Sequence, residues 1–187
     1  MTDTLKRKFK AQDARITWQG SESNSSLVLG AGRPFHAELI KPKIRKCTDS
    51  TLRGRSGVTI QNLSVLSHPP AGVTRSTATV RIQAAFASDI PPSKTAELSQ
   101  QLQDATVSFY SVNKRKLVER TIHKAQVEKA SRRRIQLLIE CDSGLVINAF
   151  VDGGDPHTGN IGYVQPTLSS ILDTQAKCLR FDILDVK

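Results

Sequence analysis

The sequence has few cysteines, few aromatic residues and no long apolar run, and each shortage excludes a class of protein. The three cysteines, Cys47, Cys141 and Cys178, lie far apart with no CxxC pair between them. That spacing excludes a disulfide framework and a structural zinc site, and a reducing compartment is the simpler setting. No apolar stretch approaches the roughly 20 residues of a spanning helix. The first 30 residues hold no apolar signal-peptide core either. The expected setting is therefore intracellular, in cytoplasm or nucleus, neither secreted nor transmembrane. Aromatic residues make up only 5% of the chain. Phe109 and Tyr110 are adjacent, so on a strand only one of them faces outward. Platforms for stacking nucleic-acid bases are thus scarce.

Catalytic patterns are missing as well. His36, His68, His123 and His157 are dispersed and match no metal-ligand spacing. No GxSxG elbow, Walker loop or GxGxxG segment precedes a helix. Gly54-Arg55-Ser56-Gly57 imitates a phosphate loop without its lysine or helix. Asp152-Gly153-Gly154-Asp155-Pro156-His157 has too few oxygen ligands for a calcium loop and reads as a turn. Cys141 ends an apolar strand, where a buried thiol is inert. The chain is expected to be non-enzymatic, with no cofactor and no metal.

Charge is what the chain has in excess. It carries 27 Lys and Arg against 17 Asp and Glu, a net charge of +10 on 187 residues. The distribution is uneven: residues 1–75 sum to +8, residues 76–134 to +6 and residues 135–187 to −4. A basic body with an acidic final quarter suggests a surface for polyanions. It also suggests head-to-tail contact between copies.

Four basic clusters carry the excess. Lys6, Arg7, Lys8 and Lys10 surround Leu5 and Phe9, whose spacing of four would place them on one helix face. This reads as a short cationic arm. Lys41, Lys43, Arg45 and Lys46 follow, the first three alternating as if on one strand face, with Arg53 and Arg55 in the next loop. Lys114, Arg115, Lys116 and Arg120 fall at a turn between strands. Arg132, Arg133 and Arg134 form the last run, after Lys124 and Lys129. Such runs neutralise phosphates without reading base sequence, and they act equally on lipid headgroups.

The apolar pattern is mostly of strand type. Ser76–Phe86 alternates most clearly, with Ala78, Val80, Ile82 and Ala84 on one face. Leu27–Leu29, His36–Ile44, the stretch from Val58 to Leu66, Thr106–Val112, Leu117–Val127, Arg134–Cys141, Leu145–Val151 and Leu179–Val186 read as further strands. Residues 93–104, capped at Ser93, read as a helix, and a second short one follows Pro166. Helices do not alternate with strands, which excludes a doubly wound fold. The expected fold is mainly β, a β-sandwich or an α+β fold with one dominant antiparallel sheet, with about eight strands and two short helices. The expected division is a basic arm and Ser/Gly-rich loop over 1–34 and a single β-rich domain over 35–187.

In layout the chain is similar in kind to viral matrix proteins: small, basic, β-rich and short of aromatics. The function expected on these grounds is a structural protein that self-associates and binds nucleoprotein, RNA or an anionic membrane through its basic clusters, in a virion as well as in the cell. The alternatives are a jelly-roll capsid protein packaging RNA and a non-specific nucleic-acid-binding or transport module.

Overall fold

The computed structural model describes residues 1–18, 26–30, 32–54, 58–68, 76–112, 115–153 and 161–187. The chain divides into two compact units, one formed by Met1–Trp18 with Pro34–Thr74 and the other by Gln19–Arg33 with Arg75–Lys187. This differs from the division at residue 34. The N-terminal segment is not a free arm, because Leu5 and Phe9 give it an apolar face that has its own small core to join.

In the first unit, α1 spans Thr2–Phe9 and buries Leu5 and Phe9. Asp3 lies in its first turn and Lys6, Arg7 and Lys8 in its last, the arrangement a helix dipole favours. Lys10 closes the helix in the left-handed conformation. β1 (Asp13–Trp18) and β2 (Phe35–Ile40) pair antiparallel, and β3 (Leu52–Arg53) pairs with β4 (Thr59–Ile60). Leu5, Phe9, Ala14 and Ile60 are the buried centre, ringed by half-buried residues that include Ile16, Leu39 and Leu52. Trp18 and Phe35 tilt against each other at 5.4 Å between ring centres.

Two expected strands are shorter here than the apolar pattern suggested. β2 ends at Ile40, because Lys41 takes φ 48° and Pro42 follows. Lys41, Lys43 and Arg45 therefore do not share a strand face. Of the run from Val58 to Leu66 only Thr59–Ile60 is strand, and Val65 and Leu66 are exposed.

The second unit is built on a six-stranded antiparallel sheet in the order β10-β5-β8-β7-β6-β9. Its strands are β5 (Thr77–Phe86), β6 (Ala105–Ser111), β7 (Lys116–Ser131), β8 (Arg134–Asp142), β9 (Ile161–Gln165) and β10 (Ala176–Val186). One face of the sheet is apolar: Val80, Ile82 and Ala84 of β5 lie beside Ile135, Leu137 and Ile139 of β8. Three helices add to that core: α2 (Pro92–Leu102) through Leu98 and Leu102, α3 (Ile147–Asp152) through Phe150 and Val151, and α4 (Leu168–Leu172) through its two leucines. Val28 bridges to Ile183, so the 27–29 segment lies along β10.

The protein is mainly β, with ten strands and four short helices among the described residues. Three local readings differ. Leu145–Val151 is mostly helix: α3 buries Ile147, Ala149, Phe150 and Val151, and a short run whose one polar residue is Asn148 carries too little period to tell helix from strand. α2 begins one residue earlier than expected and is capped by Pro91, not Ser93. β7 runs on to Ser131. The Asp152–His157 turn lies, from Gly154 on, outside the described residues.

Candidate nucleic-acid interface

The first unit holds 11 Lys and Arg against 4 Asp and Glu, a net charge of +7 on 59 residues, so most of the protein's charge is in its smaller part. Backbone contacts gather it. The amide of Lys43 donates to the carbonyl of Lys10 (3.4 Å) and that of Ile44 to the carbonyl of Phe9 (3.1 Å). The segment that carries Lys41, Lys43, Arg45 and Lys46 thus runs along the C-terminal end of α1, next to Lys6, Arg7, Lys8 and Lys10. Two clusters some 30 residues apart become one surface.

Arg53 arrives from the β3–β4 hairpin. Gly54 donates its amide to the carbonyl of Val58 (2.8 Å). A Cβ at Gly54 would stand 3.4 Å from the Thr4 hydroxyl and 3.2 Å from the Val58 carbonyl oxygen, so the absence of a side chain there lets the hairpin approach α1 closely. The result is an open cavity of about 310 Å³ lined by Thr4, Arg7, Lys8, Arg53 and Gly54. Lys8 is paired with Asp49, and Lys6 reaches Asp13 at 3.8 Å. Arg7 and Arg53 are exposed and have no ion-pair partner among the described residues. Two guanidinium groups, an ammonium and a hydroxyl around a small hollow suit a phosphate group. Arg55 lies outside the described residues.

The other two clusters stand in the second unit, and their residues do different things. Arg120 is a fastener: it donates to the Ser143 carbonyl (2.9 Å) and the Glu119 carbonyl (2.6 Å). Beside it, partial burial raises the Asp142 carboxyl, but the Thr121 amide, His123 and Arg120 outweigh that and hold it below the ordinary carboxylate value. Arg132, Arg133 and Arg134 form the exposed β7–β8 turn, where Arg133 pairs with Asp89 at 2.7 Å. Arg115 and Lys116 open β7, both exposed; Lys114 lies outside the described residues.

In the acidic final quarter, Glu140 pairs with Lys124, Asp142 with His123, Asp182 with Arg180 and Asp185 with Lys187, all within the second unit. Of these partners only Lys124 and His123 come from outside that quarter. Cys141 is buried, and burial pushes its thiol up to about 12. Among the described residues no group of three or more His, Cys, Asp and Glu could hold a metal ion. No helix among them is long and apolar enough to cross a membrane.

Thr4 escaped the sequence reading because it carries no charge, and Gly54 entered it only as part of a phosphate-loop imitation that was set aside. The signal that could have found them is a glycine next to Arg53 in a hairpin that must meet a cationic helix.

A cationic hollow flanked by further lysines and arginines has the chemistry that suits phosphate groups. The family model for the Pus10 C-terminal region matches residues 1–187. The chain belongs to this family. It is 30% identical over 189 residues to the tRNA pseudouridine synthase Pus10 of Nitrosopumilus maritimus, covering 98% of this chain and 45% of that protein. It is 27% identical over 191 residues to the enzyme of the same name from Methanocaldococcus jannaschii, covering 95% and 40%. With the one from Xenopus laevis the figures are 24% identity over 208 residues, covering 100% and 38%. The chain thus spans less than half the length of these curated relatives. Over 59% of its length it also resembles 30% of a chain in the crystal structure of a Cbf5-Nop10-Gar1 complex, with a TM-score of 0.47 and 12% identity.

Family membership overturns the expectation of a viral matrix-type protein, its capsid alternative and the virion setting. It equally overturns the expectation of a non-enzymatic protein, since the relatives carry the name of an RNA-modifying enzyme. The cause of the misreading is physical. Net charge and strand content report on the kind of partner and the kind of fold, and enzymes that act on RNA share both with proteins that package it.

Proposed function

We propose that this chain acts on tRNA, as the counterpart of the C-terminal part of Pus10-type enzymes, and serves there the conversion of uridine to pseudouridine. The observation that carries this reading is similarity along the whole chain, 98% of it, to a protein named for that reaction. The reaction is an isomerisation. The C1′–N1 glycosidic bond breaks, a C1′–C5 bond forms, C5 loses its proton and N1 gains one. Atoms and electrons balance without an oxidant or reductant.

In this reading the first unit is the grip. Its cavity between α1 and the β3–β4 hairpin receives a backbone phosphate, and Lys10, Lys41, Lys43, Arg45 and Lys46 hold neighbouring phosphates by displacing counterions. None of the residues lining the cavity is a carboxylate or a histidine, which fits a holding role and not proton transfer. Work on tRNA places the protein inside the cell, with RNA as its anionic partner.

Incubation with tRNA whose uridines are tritiated at C5 tests the reading. Tritium release into water, proportional to pseudouridine formed, is the expected result. Tight tRNA binding with no release would leave the grip and refute the conversion.

A further inference from the structure

On the face of the six-stranded sheet turned away from its core, the edge formed by β6 and β9 carries a small aromatic surface. The register of these strands steps from Phe109 opposite Val164 to Ser111 opposite Ile161. Two residues of β9, Gly162 and Tyr163, therefore oppose the single residue Tyr110, as at a β-bulge. Phe109 and Ser111 are buried, and Val164 packs on the core, so Tyr110 and the bulged pair face the other way. The Tyr110 ring lies across Gly162: its Cδ1 is 3.6 Å from where a Cβ of Gly162 would be.

Tyr110 and Tyr163 are 40% and 62% exposed, and Leu117, opposite Tyr110 on β7, is 55% exposed. Tyr110 and Tyr163 sit on adjacent strands on the same face of the sheet. Arg115 and Lys116 lead directly into this edge, and no ion pair holds them among the described residues.

We propose that Tyr110, Tyr163 and Leu117 form a platform on which unpaired bases of RNA stack, with Arg115 and Lys116 holding the flanking phosphates. The pairing of flat aromatic faces with uncompensated cations is what single-stranded nucleic acid requires, since each base has a face and each linkage a charge. A protein partner would need carboxylates opposite Arg115 and Lys116, whereas a single-stranded nucleic acid meets both the rings and the cations along its own backbone. The identity of the ligand rests on the reading of the chain as acting on tRNA; the site itself is separate from the cationic hollow of the first unit.

The test uses the full chain with a short, fluorescently labelled oligouridylate, and inorganic polyphosphate as a probe with charge but no bases. Tyr110→Ala and Tyr163→Ala are each expected to weaken oligouridylate binding by roughly fivefold to a hundredfold. Tyr110→Phe and Tyr163→Phe should bind as the parent does, and polyphosphate should bind all five proteins alike. Arg115→Ala should weaken both probes. Unchanged oligouridylate affinity in the alanine variants would overturn the proposal, as would no binding by the parent or an equal loss for polyphosphate. A sedimentation shift on tyrosine removal with RNA binding intact would make the edge a contact between proteins and overturn it too. Loss of tritium release with tyrosine-dependent binding intact would instead refute the proposed conversion and leave the platform standing.

Discussion

The amide of Ile44 donates to the carbonyl of Phe9 at 3.1 Å, and this bond joins two parts of the sequence that share only an excess of positive charge. Phe9 is buried in the small core, so the end of α1 is fixed, and Ile44 brings Lys43 and Arg45 to it. The two basic clusters meet because α1 is anchored. Four consequences can be measured.

Truncating the anchor should release the helix. Leu5 is 1% exposed, and Leu5→Ala removes most of a fully buried side chain from a core with only four buried members. A loss of about 2–4 kcal/mol is expected in the stability of the first unit. Thermal or denaturant unfolding of the variant checks it, and polyanion affinity should fall in parallel.

Gly30 should tolerate no side chain. It takes φ +63°, and a Cβ there would stand 2.2 Å from the carbonyl oxygen of Leu184. Its neighbours Leu27 and Leu29 exchange backbone bonds with Ile183 at 2.9 and 2.8 Å, so the chain at 30 has no room to withdraw without breaking them. Gly30→Ala should destabilise the protein by more than about 1 kcal/mol. An unchanged melting temperature would contradict this.

Glu128 should make stability depend on acid. Hydrogen bonds from Arg81 and then Gln136 hold its carboxyl below its ordinary value of 4.5. A depressed value in the folded protein means that the pair's contribution is present above the unfolded value and is lost as pH falls through the folded one. The Arg81–Glu128 contact at 2.9 Å is partly exposed, and a double-mutant cycle with Arg81→Ala and Glu128→Gln should return about 0.5–1 kcal/mol at neutral pH. Repeated at successively lower pH beneath 4.5, the coupling should shrink toward zero once the folded protein's Glu128 is protonated.

The β7–β8 turn should be dispensable for folding. Replacing Arg132, Arg133 and Arg134 together by Ala breaks one exposed pair, Arg133 with Asp89, worth about 0–1 kcal/mol. Melting should move little while affinity for polyanions drops. A large loss of stability would make these arginines structural.

What could be read in the sequence follows from how local each feature is. The strand Thr77–Phe86 was legible because it alternates strictly and one of its faces is buried. The helix face of Leu5 and Phe9 was legible from a spacing of four, although its burial was not. Leu145–Val151 was misread because Asn148 is its one polar residue, and a single polar position does not mark a period. The basic residues of the interface were all visible as clusters, but their joining depends on the Phe9–Ile44 bond and on Thr4 and Gly54 lining one cavity, which link residues 35 to 50 positions apart. Tyr163 was passed over, since only the pairing of β9 with β6 brings it to the side of Tyr110. The enzymatic class was out of reach, for no short motif in the chain states it.

The most direct test of the grip is the salt dependence of tRNA binding by the parent protein and by the Arg7→Ala, Arg53→Ala double variant. Removing two phosphate contacts should lower affinity and reduce the slope of log affinity against log salt by about one to two. The same slope and the same affinity in both proteins would mean that the hollow between α1 and the β3–β4 hairpin does not hold the RNA backbone.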